Sequence, residues 1–243
     1  MALRLTTTTI GPLRAHVVED SDRDGPPSVV VVLCHGFGAP GDDLVSLGPE
    51  LCALSPTIAR TTRFIFPEAP IALDGVAFGG RAWWPIDMMA LQMAMARGLH
   101  RQLADESPEG LPSARQKLQG LIDVVLRDTG LPMSRVVLGG FSQGAMLATD
   151  TTLRLEEAPA ALCVLSGTLL QQTEWRRLAP RRVGLRVIQS HGRSDPILPF
   201  EGALALKQLL TDAGLVVDFH PFDGGHGIDG GVLQAIADFV SQH

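Results

Sequence analysis

Short apolar runs alternate along the chain with stretches in which apolar residues recur at helical spacing. The run Val29–Cys34 is continuous and too short for a helix, which is typical of a strand buried on both faces of a sheet. Similar runs predict six further strands, at residues 13–18, 64–66, 136–138, 160–165, 185–189 and 216–219.

The stretches between these runs have the pattern of helices with one apolar face. Leucines three or four positions apart predict a helix that Asp42 or Asp43 caps and Pro56 stops. Ser113 is expected to cap the next helix and Gly130 to close it. Three more helices are predicted, at residues 143–155, 201–213 and 232–240.

The alternation of strands and helices predicts an α/β protein with a doubly wound, mostly parallel sheet flanked by helices. A chain of 243 residues with 45% hydrophobic content can bury one large core, so we expect a single domain over residues 1–243. In such a sheet, ligands bind at the carboxyl ends of the strands.

Composition excludes several classes of partner. A net charge of −6 gives no basic surface for nucleic acid or an anionic membrane, and no apolar run approaches the length of a membrane span. The threonine-rich residues 1–10 lack the pattern of a signal peptide. Cys34, Cys52 and Cys163 lie in apolar settings and are expected to be reduced and buried, not bound in disulfides or to zinc. A soluble cytoplasmic protein without stable membrane association is predicted.

Residues 82–110 stand apart as a possible cap or lid segment within the domain. Trp83 and Trp84 lie in a proline- and glycine-rich loop, where they either pin the loop to the core or wall an acyl pocket. The following residues 87–96 are rich in methionine and alanine and form either a buried helix or a cap over an apolar chain. We take Trp83, Trp84 and Met88 as candidate substrate-binding residues.

Residues 140–144 spell Gly-Phe-Ser-Gln-Gly and lie between a predicted strand and a predicted helix. This pattern is the signature of a nucleophile elbow, in which a sharp turn holds a serine hydroxyl above the sheet edge. In so tight a turn, side chains at Gly140 and Gly144 would clash with neighbouring segments. Ser142 is therefore the candidate nucleophile.

A serine nucleophile needs a base, and the base needs an acid to fix its tautomer. His226 lies in the glycine-rich loop after the last predicted strand, whereas His220 ends that strand and His191 shapes the turn before Asp195. Asp195 follows the penultimate predicted strand, so the order Ser, Asp, His matches this class of fold. Asp223 and Asp229 compete only by their proximity to His226 in sequence. We expect His226 to be the base and Asp195 the acid.

Together these motifs resemble the phospholipase/carboxylesterase family of α/β-hydrolases, in particular its bacterial carboxylesterase branch. The resemblance rests on five stretches: His35–Gly38, Ala82–Trp84 with Asp87, Arg135–Ala145, His191–Pro199 and Gly225–His226. It implies a triad of Ser142, Asp195 and His226, with the backbone amides of Phe37 and Gln143 as the oxyanion hole.

The resemblance implies a serine carboxylesterase that acts on esters of small to medium acyl chains through an acyl-enzyme intermediate, without a metal or organic cofactor. An acyl-thioesterase or lysophospholipase on the same triad is the alternative, and a non-catalytic hydrolase-fold binding protein is a third. Two departures stand out: the methionine-rich segment replaces a short acidic stretch found in thioesterase members, and Gly227 follows the base where many members have an acidic residue. The sequence leaves open whether the protein is a monomer or a homodimer.

Overall fold

A computed structural model of the chain describes residues 2–75, 79–87, 89, 93, 104, 105 and 107–242. Its centre is an eight-stranded sheet, and a short two-stranded sheet lies beside it. The strands of the large sheet are β1 (Leu3–Ile10), β2 (Leu13–Asp20), β3 (Val29–Cys34), β4 (Thr62–Pro67), β7 (Val136–Phe141), β8 (Ala161–Leu165), β9 (Arg186–Gly192) and β10 (Val216–Phe222), and those of the small one are β5 (Ile71–Ala72) and β6 (Arg81–Ala82).

The strands of the large sheet follow the order β1-β2-β4-β3-β7-β8-β9-β10. β1, β2 and β4 pair antiparallel, and every pairing from β4 to β10 is parallel. The prediction of a mostly parallel, doubly wound sheet is therefore confirmed. The central strands are apolar on both faces because helices cover both sides.

Helices on the two faces enclose two apolar cores. One face packs against α3 (Leu111–Thr129), α4 (Gln143–Arg154), α5 (Gln172–Leu178) and α6 (Phe200–Asp212). The other packs against α1 (Leu47–Leu54), α2 (Pro56–Thr61) and α7 (Gly230–Val240). Across the described ranges, no helix is long and apolar enough to cross a membrane.

Several helix boundaries differ from the prediction. α1 begins at Leu47, after a series of turns, so Asp42 and Asp43 do not cap it. Pro56 opens α2, where a missing N–H costs nothing, and the Ser55 hydroxyl accepts from the N–H of Ile58.

The long helix α3 also begins earlier than predicted. It starts at Leu111, which places Ser113 inside the helix and not at its cap. Its end is as predicted, because Gly130 adopts the left-handed conformation that closes a helix.

Several elements carry no clear signal in the sequence, among them β1 and α5. β1 is an edge strand exposed along most of its length, so its threonines show no apolar alternation although they favour strands. α5 is only seven residues long and is anchored by the fully buried Trp175. Its two buried residues, Trp175 and Leu178, are too few to predict a helix.

Candidate active site

The serine lies on a strained turn between β7 and α4. Ser142 has φ 53° and ψ −118°, a conformation that a residue with a side chain rarely adopts. A Cβ on Gly140 would lie 2.4 Å from the carbonyl oxygen of Cys34, and one on Gly144 would lie 2.0 Å from it. Glycine is required at both positions because β3 passes directly beside the turn.

The serine, a histidine and an aspartate form a hydrogen-bonded series across the carboxyl ends of the strands. His226 Nε2 lies 2.9 Å from Ser142 Oγ, and His226 Nδ1 lies 2.6 Å from Asp195 Oδ2. Since the carboxylate can only accept, Nδ1 carries the ring proton and Nε2 is left to accept from the serine hydroxyl. This arrangement can move a proton from the serine to the histidine.

Four donors surround the carboxylate of Asp195. Oδ1 accepts from the backbone N–H groups of Ile197 (2.8 Å) and Leu198 (2.9 Å), and Oδ2 lies 3.2 Å from His191 Nε2 as well as near His226. Burial by itself raises the pKa of Asp195, but the bonds from these donors outweigh it and hold the pKa below its usual range. The acid is therefore ionised at neutral pH.

His191 lies behind the acid and is completely buried. Its Nε2 contacts the carbonyl oxygen of Leu198 at 2.8 Å in addition to Asp195. Both neighbours only accept, so Nε2 carries the proton. The position agrees with the predicted role of His191 in shaping the turn that presents Asp195.

The other candidate acids and bases lie elsewhere. Asp223 is 96% exposed at its side chain and pairs with Arg193, whereas Asp229 accepts from the N–H of Gly231 and caps α7. His220 pairs with Asp218 on the edge strand β10. The structure brings none of these three candidates into contact with Ser142.

Three contacts that the sequence analysis missed hold the loop that carries the histidine. The hydroxyl of Ser166, itself at φ 47°, donates to the carbonyl of Gly227 at 2.7 Å. The N–H of Ser194 donates to the carbonyl of Gly224. A Cβ on Gly192 would lie 2.1 Å from the carbonyl oxygen of Gly225, so the loop lies directly on the end of β9. Ser166 and Gly167 directly follow β8, and sites in such a sheet lie at the carboxyl ends of the strands, so the sequence did contain a signal for Ser166.

The two predicted oxyanion residues lie at the ends of neighbouring strands. Gln143 is the first residue of α4, where a backbone N–H has no partner within the helix. Phe37 lies in the loop after β3, and a Cβ on the preceding Gly36 would lie 3.3 Å from the Cβ of Ser142. The loop after β3 therefore passes close to the side chain of Ser142.

The structure places the predicted substrate-binding tryptophans in the core. Trp83 is 1% exposed and Trp84 is 2% exposed, which favours the alternative in which they pin their loop. The proposed contact of either indole with an acyl chain stays a prediction. Met88 lies outside the described residues, while Met89 and Met93 are exposed, so a buried helix does not describe those two positions.

Within the described ranges, no three His, Cys, Asp or Glu side chains are grouped so that they could hold a metal ion. The fold and the strained serine, facing a histidine and an aspartate from later strand ends, define an α/β-hydrolase. The chain belongs to the phospholipase/carboxylesterase family, whose model matches residues 15–243. It is thus a hydrolase of the family to which carboxylesterases and acyl-protein thioesterases belong, as predicted.

Named relatives and solved structures agree with this membership. The chain is 28% identical to acyl-protein thioesterase 1 of Neurospora crassa over 219 residues, which cover 88% of this chain and 86% of that one. It is 26% identical to a probable carboxylesterase of Oryza sativa subsp. japonica, over 76% of this chain and 67% of that one. The crystal structure of esterase PE8 matches with a TM-score of 0.73 at 26% identity, over 100% of this chain and 99% of that one.

Proposed function

We propose that the protein is a serine carboxylesterase that works through an acyl-enzyme intermediate. The observation that carries this proposal is the hydrogen-bonded series from Ser142 through His226 to Asp195, with distances of 2.9 Å and 2.6 Å. A serine hydroxyl is a weak nucleophile at neutral pH, and a neutral histidine within bonding distance activates it.

In the acylation half, Ser142 Oγ attacks the ester carbonyl while its proton passes to His226 Nε2. The resulting imidazolium is stabilised by the ionised Asp195 at Nδ1. When the tetrahedral intermediate collapses, the bond to the leaving alkoxide breaks and His226 returns the proton to that oxygen. The products of this half are an alcohol and an acyl ester on Ser142.

In the deacylation half, His226 takes a proton from water and the hydroxide oxygen attacks the acyl carbonyl. Collapse of this second intermediate breaks the bond to Ser142 Oγ, which recovers its proton from His226. The carboxylic acid leaves and the free serine is restored. The chain's own groups and water supply and accept every proton that the two halves require.

We assign the backbone N–H groups of Phe37 and Gln143 to the developing oxyanion in both halves. They lie just beyond the ends of β3 and β7, where the loop after β3 passes close to Ser142. The positive end of the α4 dipole adds to this stabilisation. Removal of one such donor typically costs about 3 kcal/mol of transition-state stabilisation.

We infer a small-molecule ester with a small to medium acyl chain as the substrate. The exposed Met89 and Met93 support an apolar acyl site, for which Trp83, Trp84 and Met88 are the candidate residues, because methionine adapts to apolar chains of varied shape. Thioester hydrolysis is the second candidate, supported by the acyl-protein thioesterase name of the Neurospora crassa relative. Rates with p-nitrophenyl esters of increasing chain length, acyl thioesters and lysolipids rank these substrates. A strict preference for acetyl esters contradicts the apolar acyl site.

We infer that the protein acts in the cytoplasm, without nucleic acid and without stable membrane association, as a monomer or a homodimer. All three cysteines are buried free thiols, and burial raises the pKa of each, which suits a reducing compartment. Fractionation of the native host tests the location, and light scattering tests the oligomeric state.

The nucleophile is tested by Ser142→Ala. The variant is expected to abolish hydrolysis of short p-nitrophenyl esters while its melting temperature stays close to that of the wild type. Ser241→Ala, at the end of α7, is the matched control and keeps full activity. Ester turnover at the wild-type rate in Ser142→Ala contradicts the mechanism. A failure of the wild type both to turn over esters and to react with a fluorophosphonate would support a non-catalytic binder instead.

A further inference from the structure

Trp83 forms hydrogen bonds with His35, two residues before the proposed donor Phe37, and with the side chain of Gln143, the other proposed donor. Its indole Nε1–H donates to the carbonyl of His35 at 2.9 Å, and its backbone N–H donates to Gln143 Oε1 at 2.9 Å. The indole is 1% exposed, and its ring lies 5.7 Å from the ring of His35. One buried residue therefore connects the loop after β3 with the first residue of α4.

His35 sets the orientation of the first proposed donor, the N–H of Phe37. The carbonyl of Gly36 and the N–H of Phe37 belong to one planar trans peptide, so the direction of one fixes the direction of the other. His35 Nε2 accepts from the N–H of Ala69 at 3.0 Å, so Nδ1 carries the proton and donates to the carbonyl of Gly36 at 2.8 Å. Burial lowers the pKa of His35 and keeps the ring neutral in this role.

The second half is fixed by the side chain of Gln143. Its Nε2 donates to the carbonyl of Trp84 at 2.8 Å, while its Oε1 accepts from the N–H of Trp83. These two bonds to consecutive residues hold the completely buried Gln143 in one orientation. Its own backbone N–H is the second proposed donor.

We propose that Trp83 is a positioning residue that sets the spacing between the oxyanion donors of Phe37 and Gln143. This inference rests on the proposed function, because it takes those two N–H groups as the donors. Trp83 acts through His35 on one side and through Gln143 on the other. It does not itself touch the reacting atoms.

The bridge that Trp83 forms between His35 and Gln143 affects the transition state more than the bound ester. Without the indole N–H, the carbonyl of His35 is buried without its partner, and the loop that presents Phe37 shifts to satisfy it. A shifted donor stabilises the oxyanion less, while a neutral ester carbonyl gains little from it at any spacing. Loss of the bridge therefore lowers kcat and leaves KM nearly unchanged.

The test compares Trp83→Phe with Trp175→Phe. Both changes keep an aromatic ring and remove a buried indole N–H, since Trp175 Nε1 donates at 2.9 Å to Oδ1 of Asp150, a buried residue of α4. Trp83→Phe is expected to lower kcat about tenfold and to leave KM within about twofold. The loss of kcat is smaller than for removal of a whole oxyanion donor, because the donor is displaced and not removed. Trp175→Phe is expected to change kcat by less than about twofold although it also lowers stability.

An oxyanion-specific readout separates positioning from general destabilisation. A trifluoromethyl ketone adds to the serine as a charged hemiketal, so its affinity in Trp83→Phe should fall by the same factor as kcat. Equal kcat and equal inhibitor affinity in the two Trp→Phe variants overturn the inference. Should Trp83→Phe not fold, Gln143→Met keeps the backbone N–H and removes both side-chain bonds, and unchanged kcat in that variant overturns it as well.

Ser142→Ala distinguishes this inference from the proposed function. Wild-type turnover in Ser142→Ala refutes the serine mechanism itself. If Ser142→Ala is inactive and the Trp83→Phe and Trp175→Phe variants have equal kcat and equal inhibitor affinity, only the positioning role of Trp83 is refuted.

Discussion

The oxyanion side of the site lies inside the core, whereas the base lies on a loop that solvent reaches. Gln143, His35 and Trp83 are at most 1% exposed, and hydrogen bonds join them. Residues 222–231, which include His226, are all half-buried or exposed. Oxyanion donors stabilise charge best when they are fixed before the reaction, and burial fixes them. The base must exchange protons with substrate and water, so access at this loop suits its role.

The elbow is where this comparison predicts the largest loss of stability. Gly144→Ala is expected to cost about 3 kcal/mol or more of unfolding free energy, because the new Cβ would lie 2.0 Å from a backbone oxygen of β3. Gly227→Ala, on the base loop, has no atom within 4 Å of its new Cβ and should stay within about 0.5 kcal/mol of the wild type. Chemical denaturation measures both. Equal losses in the two variants would remove the contrast between buried elbow and open loop.

Asp195→Asn removes the charge that fixes the tautomer of the base. We expect kcat to fall by about 10⁴-fold while the fold persists, as the loss of a triad acid typically does. The expected drop is measured at neutral pH with p-nitrophenyl acetate. Activity within tenfold of the wild type would show that another group orients His226.

The same carboxylate links stability to pH. Its folded pKa lies below the unfolded value, so its contribution is complete above about pH 4 and is lost as the pH falls through the folded pKa. Unfolding free energies measured between about pH 6 and 3 should therefore fall more steeply in the wild type than in Asp195→Asn. Parallel pH dependences in the two proteins would refute the stabilisation of this carboxylate by its donors.

Ser166→Ala loosens the base loop without touching the oxyanion side. It removes the 2.7 Å bond to the carbonyl of Gly227, for which we expect a loss of about 1 kcal/mol in stability and a roughly fivefold lower kcat. Relative to its own loss of kcat, the affinity of Ser166→Ala for a trifluoromethyl ketone should fall by a smaller factor than the affinity of Trp83→Phe. A kcat identical to the wild type would show that the loop is held by its other contacts alone.

Asp223→Asn is expected to have the smallest effect. The side chain of Asp223 is 96% exposed and pairs with Arg193 at 3.4 Å, and exposed pairs of this kind contribute roughly 0–1 kcal/mol. Steady-state kinetics should give kcat within about twofold of the wild type. A loss as large as that of Asp195→Asn would make Asp223 the acid in place of Asp195.

The sequence predicted the parts of the molecule that have a local signature. Buried strands such as Val29–Cys34 are continuous apolar runs, and the elbow is set by glycines whose spacing is fixed by sterics. β1 escaped prediction because both of its faces are exposed, and the start of α1 escaped it because turns, and not an aspartate cap, precede the helix. Local composition does not encode either feature.

The side chains that position the site were less predictable than the reacting residues. Trp83, Gln143 and His35 are joined across as many as 60 positions in sequence, as in the bond from Trp83 to Gln143. Such contacts depend on how two loops meet, and no spacing within either loop reveals them. The same holds for Ser166, which reaches the base loop from a different strand.

The most direct measurement is mass spectrometry of the protein after reaction with a fluorophosphonate. The proposed mechanism predicts one adduct per chain, located on Ser142, which a p-nitrophenyl ester slows by competition and which is absent from Ser142→Ala. An adduct on another residue, or ester hydrolysis by a chain that forms no adduct at Ser142, would contradict it.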